Sequence, residues 1–250
     1  MNNTSQNTSK IFLLAALGVI SFLSLFFLDP IRQDPEYHNF ADSRTVFGIA
    51  NYFDVISNIP FLIVGIFGIL ISNRRTSQMI RPAWHLCFAG VAMVSFGSAY
   101  YHLNPDSDTL IWDRLPMAIG FMGLFSALFG EYVNEKAGIW ILIPALAVGL
   151  SSIHYWQIHD DLRFYVWVQA VPVLIIPVLL LMFKSKYSRQ YLLLAGFFLY
   201  ALAKVFELFD DRIFALTGEL IGGHAVKHLL AALAVYSIVL MLKKREKLRD

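Results

Sequence analysis

Cysteine and charged residues are scarce in this sequence, and each shortage excludes a class of protein. Cys87 is the only cysteine, which rules out a disulfide framework and a metal site built from several thiolates. Charged residues form 15% of the chain and lie mainly between apolar runs. No basic segment with interleaved aromatic side chains is present, so nothing in the sequence indicates nucleic-acid binding.

Apolar residues, in contrast, are abundant. They make up 57% of the 250 residues and the mean hydropathy is +0.59, whereas a soluble domain is roughly 45–50% apolar. A helix that crosses a membrane needs about 20 apolar residues, and several runs reach that length. The sequence therefore predicts an all-α membrane protein: a seven-span helical bundle with one additional N-terminal span, eight in total. The predicted spans are 11–28, 48–71, 82–102, 111–132, 138–153, 163–183, 190–208 and 222–242.

Basic residues indicate how these spans are oriented. Lysine and arginine concentrate in two loops and in the tail, at Arg74, Arg75, Arg81, Lys184, Lys186, Arg189, Lys243, Lys244, Arg245, Lys247 and Arg249. With eight spans all of them lie on one side, which the positive-inside rule makes cytoplasmic. The run at 11–28 could also be a signal peptide, but no small-residue cleavage pattern follows it, so we expect a retained span. Both termini are then cytoplasmic.

Polar residues of several spans are predicted to meet at one depth on the outer side. His224 and His228 are four residues apart and share a helix face, and His102 ends the 82–102 span. Three histidines with an open position are typical of a catalytic zinc, so the bundle is expected to enclose a zinc site. Asp113 is placed to activate a zinc-bound water as general base. Ser98, one turn before His102, could hold that water or donate to an oxyanion.

Each of these residues also has an ordinary explanation. A histidine pair can be a packing feature, Ser98 can serve helix packing, and Asp113 can be a favourable charge at a helix N-terminus. Asp54, Ser57 and Asn58 lie at the same depth and could contact substrate or brace the helices. Lys204 and Glu207, three residues apart, are expected to form a structural ion pair.

Two alternatives to zinc hydrolysis come from these same residues. A haem- or metal-binding membrane protein for electron or ion transfer would also use paired histidines on different spans. A receptor or structural zinc site would use the three histidines without turnover. The open coordination position favours the enzyme.

The motifs resemble the alkaline ceramidase family, within a superfamily of seven-span membrane hydrolases that includes adiponectin receptors and GPI-anchor remodelling enzymes. The resemblance rests on Ser98-x-x-x-His102, on Asp113 eleven residues later, and on His224-x-x-x-His228. Residues 51–58, Asn-Tyr-Phe-Asp-Val-Ile-Ser-Asn, are similar to the family's Glu-Phe-Trp-Asn-Thr-x-Ser-Asn, and 37–44 is similar to bacterial members. The similarity covers about residues 37–242, so the span at 11–28 is additional to the family's seven.

This resemblance implies that His102, His224 and His228 bind Zn²⁺, that Asp113 activates water, and that Ser98 assists at the metal. The reaction would be hydrolysis of the amide bond of a ceramide-like membrane lipid to a fatty acid and a sphingoid base. A related hydrolase of lipid or GPI-type esters is the nearest enzymatic alternative.

The resemblance also bears on calcium and on location. Asn51 stands where the family's calcium site has glutamate and no Asp-Trp pair precedes it, which disfavours Ca²⁺. Asp34, Glu36, Asn39 and Asp42 nevertheless offer oxygen ligands for it. We expect a bacterial inner-membrane protein whose zinc site faces the outer side. Its predicted parts are an N-terminal span and outer loop (1–47), the catalytic bundle (48–242) and a basic cytoplasmic tail (243–250).

Overall fold

The computed structural model describes residues 3–248, with side chains from residue 8 onward. Its helices are α1 Asn3–Ser24, α2 Tyr52–Ile56, α3 Ile59–Arg75, α4 Arg81–Leu103, α5 Ser107–Tyr132, α6 Glu135–His159, α7 Arg163–Met182, α8 Tyr191–Leu208, α9 Asp210–Leu216 and α10 Gly223–Lys244. Short 3₁₀ turns occur at Leu25–Phe27 and Pro35–His38. Between residues 3 and 248, eight helical segments are long and apolar enough to cross a membrane. The predicted fold class is confirmed: the chain is a multi-pass, all-helical membrane protein.

Three predicted spans differ clearly from the observed helices. The predicted span at 111–132 begins at Ser107, because Asp106 caps α5 by accepting a hydrogen bond from the Thr109 amide at 2.6 Å. Asp113 therefore lies well inside α5, beyond its first turn. The span predicted at 138–153 extends over Glu135–His159, since Asn134 caps its start and a polar stretch continues the helix beyond the apolar run.

The span predicted at 48–71 is divided into α2 and α3. Pro60 is in the first turn of α3 and has no amide hydrogen to donate to the preceding turn. The side chains of Ser57 and Asn58 instead donate to the Asp54 carbonyl oxygen, at 3.0 and 2.8 Å. The break places the short helix α2 beside the histidines.

Close contact between α4 and α5 brings the site residues of both helices together. A Cβ atom built on Gly97 would lie 1.9 Å from the Trp112 carbonyl oxygen, and one on Gly90 would lie 2.5 Å from the Gly120 nitrogen. Small residues at these crossings allow the two backbones to touch. The last turn of α4 is thereby held against the first turns of α5.

The long helices form a ring that is incomplete on one side. In order, α8 packs on α10, α10 on α3, α3 on α4, α4 on α5, and α5 on α6 and α7. Helices α7 and α8 are consecutive in sequence but do not pack on each other to a comparable extent. Helix α1 lies outside on α7, where Trp167 donates to the Ser21 hydroxyl at 3.1 Å.

The two ends of the bundle differ in character. The end where α4 finishes and α5 and α10 begin is called here the histidine end. The opposite, basic end contains a buried ion pair between Arg245 and Glu131, with an N–O distance of 2.6 Å. Glu131 also accepts from the Trp84 indole at 2.9 Å, so both of its carboxylate oxygens have a donor.

Candidate metal centre

Three histidines converge at the histidine end. His102 comes from the last turn of α4, and His224 and His228 come from the first two turns of α10. Their rings are 4.9–5.0 Å apart between centroids, and one potential ligand nitrogen of each lies within 4.8 Å of the others. All three are at most 5% exposed. This buried triad could bind a metal.

Hydrogen bonding around His228 leaves one of its ring nitrogens available. The Ser57 hydroxyl donates to the Asp54 carbonyl and lies 2.8 Å from His228 Nδ1. With its hydrogen committed, that hydroxyl accepts from the ring, so Nδ1 carries the proton and Nε2 keeps its lone pair. Metal-bound histidines commonly have their second nitrogen oriented in this way.

The surroundings of His102 also suit a metal ligand. Its Nδ1 is buried and has no hydrogen-bond partner among the residues described, and a buried unpaired polar atom is costly. The Phe40 ring lies 4.6 Å from the rings of both His102 and His224 and shields them on one side. Asn51 donates to the His102 carbonyl at 2.8 Å. The donor set therefore fits a metal that binds imidazole.

Asp113 and Ser98 line the cavity that reaches His228 of the triad. Asp113 is 8% exposed and interacts with the Ser98 side chain. Both residues line the same cavity as His228. The structure thus brings the three histidines together and places Ser98 and Asp113 on one cavity with His228.

Asp54, Ser57 and Asn58 take different positions around this site. Ser57 contacts His228, and Asn58 holds the Asp54 backbone. The Asp54 carboxylate is 1% exposed, and neither of its oxygens has a partner within the described part of the chain. All three belong to the α2–α3 junction that supports α10.

A network of charges next to the triad includes one residue that the sequence analysis missed. The predicted ion pair between Lys204 and Glu207 is confirmed, at 2.6 Å. Glu207 also pairs with Lys227 at 2.9 Å, and Lys227 Nζ lies 3.0 Å from His224 Nε2. A lysine between two histidines of a membrane span is rare, so Lys227 could have been singled out from the sequence. The spacing of residues does not predict its partner, Glu207 on α8.

A cavity of about 450 Å³ extends from this polar cluster into the bundle. Its walls come mainly from α4, α5, α7, α8 and α10, and its deeper part is apolar, with Cys87, Leu193 and Ile238 among its lining. On α10 it reaches from His228 to Ile238, roughly 15 Å at a rise of 1.5 Å per residue. That is about half the thickness of a bilayer's hydrocarbon core. The size suits a small-molecule or lipid-chain site.

The loop that covers the histidine end is held by its own contacts. Asp42 pairs with Arg44 at 2.6 Å, and Asn39 donates to Glu36 at 2.6 Å. Asp34 accepts from the Glu36 amide at 2.9 Å. Asp34, Glu36 and Asp42 thus each have a carboxylate oxygen bonded to a protein donor.

The sequence model of the ceramidase family matches residues 38–248 of the chain. The chain belongs to the ceramidase family. This match confirms the family resemblance, and it contains all three histidines, Ser98 and Asp113. It starts after α1, in agreement with an additional span at the N-terminus. No curated protein matches the chain. Family membership supports a ceramide-hydrolysing membrane enzyme.

Proposed function

We propose that this ceramidase-family member is a zinc-dependent integral membrane hydrolase that cleaves the amide bond of a ceramide-like lipid to a fatty acid and a sphingoid base. One observation carries the proposal. The buried histidine triad has one member, His228, on an apolar cavity that a carboxylate and a hydroxyl also line. A long acyl chain in that cavity would present its amide group to these residues.

His102, His224 and His228 would hold the zinc ion. When bound there, zinc would polarise a carbonyl oxygen and lower the pKa of water to about 7. Ser57 keeps the proton on Nδ1 of His228, which favours Nε2 as the ligand atom.

The remaining chemistry belongs to Asp113 and Ser98. The Asp113 carboxylate accepts a proton from the water whose oxygen attacks the amide carbon, and then delivers that proton to the amide nitrogen as the C–N bond breaks. The products are a carboxylic acid and an amine. The Ser98 hydroxyl orients Asp113 or donates to the developing oxyanion.

Lipid entry is assigned to the side of the bundle between α7 and α8. Both helices line the cavity, yet they do not pack closely on each other. A substrate could therefore enter from the hydrocarbon region without unfolding the bundle. The basic residues favour a cytoplasmic location for the opposite end, so the site would face the outer side of a bacterial inner membrane, with both termini inside.

Geometry favours this function over haem binding. The three imidazoles surround one point at similar separations, and Phe40 packs against two of them. A porphyrin placed between any two rings would collide with the third. The cleavage of an ester of a lipid or GPI-type anchor remains the nearest enzymatic alternative, and substrate assays separate it from amide cleavage.

Metal content and lipid turnover, measured on the same preparations, test the proposal. The wild-type chain is expected to contain about one zinc and to release fatty acid from ceramide. His224→Ala should lose the metal and the activity, whereas Asp113→Asn should keep the metal and lose the activity. His154→Ala is the matched control, because His154 is exposed on α6. Unchanged hydrolysis by Asp113→Asn, or a folded wild-type protein without metal, would contradict the mechanism.

A further inference from the structure

Arg114, next to Asp113 on α5, is a buried cation that forms no salt bridge with any of the residues the structure describes. It is 6% exposed and lines the cavity. Its guanidinium lies 4.1 Å from the Trp156 ring and 4.9 Å from the Tyr165 ring. Nη2 donates to Gln33 at 2.7 Å, but Nη1 is buried and has no hydrogen-bond partner in the described part of the chain.

Such a group is expensive to bury. None of the ion pairs found among the described residues includes Arg114. An unpaired charge in a membrane protein is costly and usually functional, and aromatic faces compensate only part of the loss of water. The free Nη1 and the planar fork of the guanidinium suit a carboxylate or phosphate oxygen.

The other charged side chains that line the cavity balance one another, so Arg114 leaves the set with one net positive charge. Four cationic and three acidic side chains line the cavity: Arg32, Asp34, Asp113, Arg114, Lys204, Glu207 and Lys227. Arg32 and Asp34 are exposed and largely screened by water. Tyr37 links the buried groups, since its ring lies 5.8 Å from the Arg114 guanidinium and its hydroxyl 3.4 Å from Glu207. The two lysines already share Glu207. The neighbouring Asp113 is hydrogen-bonded to Ser98 and forms no salt bridge with Arg114 in the described part of the chain.

We propose that Arg114 binds an anionic oxygen group in the headgroup of the lipid, so that the enzyme prefers N-acyl lipids with an acidic headgroup over neutral ceramides. This inference rests on the proposed function for the amide and the acyl chain. The arginine contacts α6 and α7, whereas the histidines come from α4 and α10. The acyl carbon must lie at the histidines, so an anion at Arg114 belongs to another part of the lipid.

A fatty-acid product also carries a carboxylate that could bind Arg114. The experiment therefore distinguishes an intact lipid with an acidic headgroup from a released fatty acid. Native mass spectrometry of the full-length protein, with its metal, would measure competition between N-palmitoyl glycine and N-palmitoyl ethanolamine. These lipids share an acyl chain and differ in the charge of the headgroup. Palmitate is titrated separately, and the bound masses show whether intact lipid or product occupies the site.

The wild-type protein is expected to bind N-palmitoyl glycine at least about tenfold more tightly than N-palmitoyl ethanolamine. Arg114→Gln should abolish that preference. Arg114→Lys, which keeps the charge but not the fork, should retain only part of it and serves if the glutamine variant does not fold. Arg212→Gln should behave as wild type, because Arg212 is exposed on α9.

Equal binding of the two lipids by the wild-type protein, or a preference that survives Arg114→Gln, would overturn the inference. So would Arg114-dependent binding of palmitate without any preference between the two amides. Zinc content and fatty-acid release are measured separately on the same samples. A preference for the acidic lipid without hydrolysis would refute the proposed function alone, whereas hydrolysis of both amides without a preference would refute the role of Arg114 alone.

Discussion

Replacing Ser57 with alanine should weaken metal binding about tenfold while the bundle stays folded. Ser57 is 7% exposed and its hydroxyl has two tasks. It accepts from His228 Nδ1 at 2.8 Å and donates to the Asp54 carbonyl at 3.0 Å. Without the hydroxyl, the imidazole loses the acceptor that holds its tautomer and its orientation.

The size of the effect follows from what remains after the substitution. Removing a hydrogen-bond partner of a metal-bound histidine typically weakens metal affinity by about 10–100-fold. The Asp54 carbonyl lies within hydrogen-bonding reach of the same histidine and can accept part of the lost bond. We therefore expect the lower limit, about 1.4 kcal/mol of binding free energy.

Competition with a chromophoric chelator would measure zinc affinity in detergent. Ser72→Ala is the matched control, because Ser72 is buried on α3, the helix that follows Ser57, and donates to the Ile69 carbonyl at 2.9 Å. It lies toward the basic end, far from the histidines. If Ser57→Ala and Ser72→Ala both bound zinc as the wild type does, the assigned role of the hydroxyl would be wrong.

Two further substitutions test the packing and the pH dependence of the fold. Gly97→Ala should lower stability by about 1–3 kcal/mol and reduce zinc content, because the new Cβ would lie 1.9 Å from the Trp112 carbonyl; thermal unfolding would show it. Gly18→Ala, with nothing within 4 Å of the added atom, is the control. The Arg163 guanidinium holds the pKa of Asp161 below its usual value. The stabilisation that ionised Asp161 contributes is therefore present above the unfolded-state pKa of about 3.9 and lost as the pH falls through the folded-state pKa. Asp161→Asn should remove that part of the acid sensitivity of the melting temperature.

Either test has a clear negative result. Equal stability of the two glycine variants would mean that α4 and α5 can move apart without a loss of stability. An unchanged dependence of the melting temperature on pH in Asp161→Asn would mean that other carboxylates account for the acid sensitivity.

Much of the architecture could be predicted from local features of the sequence. Hydropathy locates a membrane span because about 20 apolar residues in a helix match the thickness of the bilayer core. Within lipid, the helix satisfies the backbone hydrogen bonds of that run internally. The spacing of His224 and His228, and of Lys204 and Glu207, places each pair on one helix face. These inferences hold because a helix repeats every 3.6 residues, whatever surrounds it.

The surroundings of the site were decided only by the tertiary structure. Sequence spacing did not show that Lys227 pairs with Glu207 on another helix, or that Ser57 contacts a histidine 171 positions away. It did not show that Arg114 lies among aromatic rings with one nitrogen unpaired. Such contacts depend on how α4, α5, α8 and α10 pack, and that packing is set by side-chain shape and close backbone approach across the bundle. Helical periodicity carries no information about these distances.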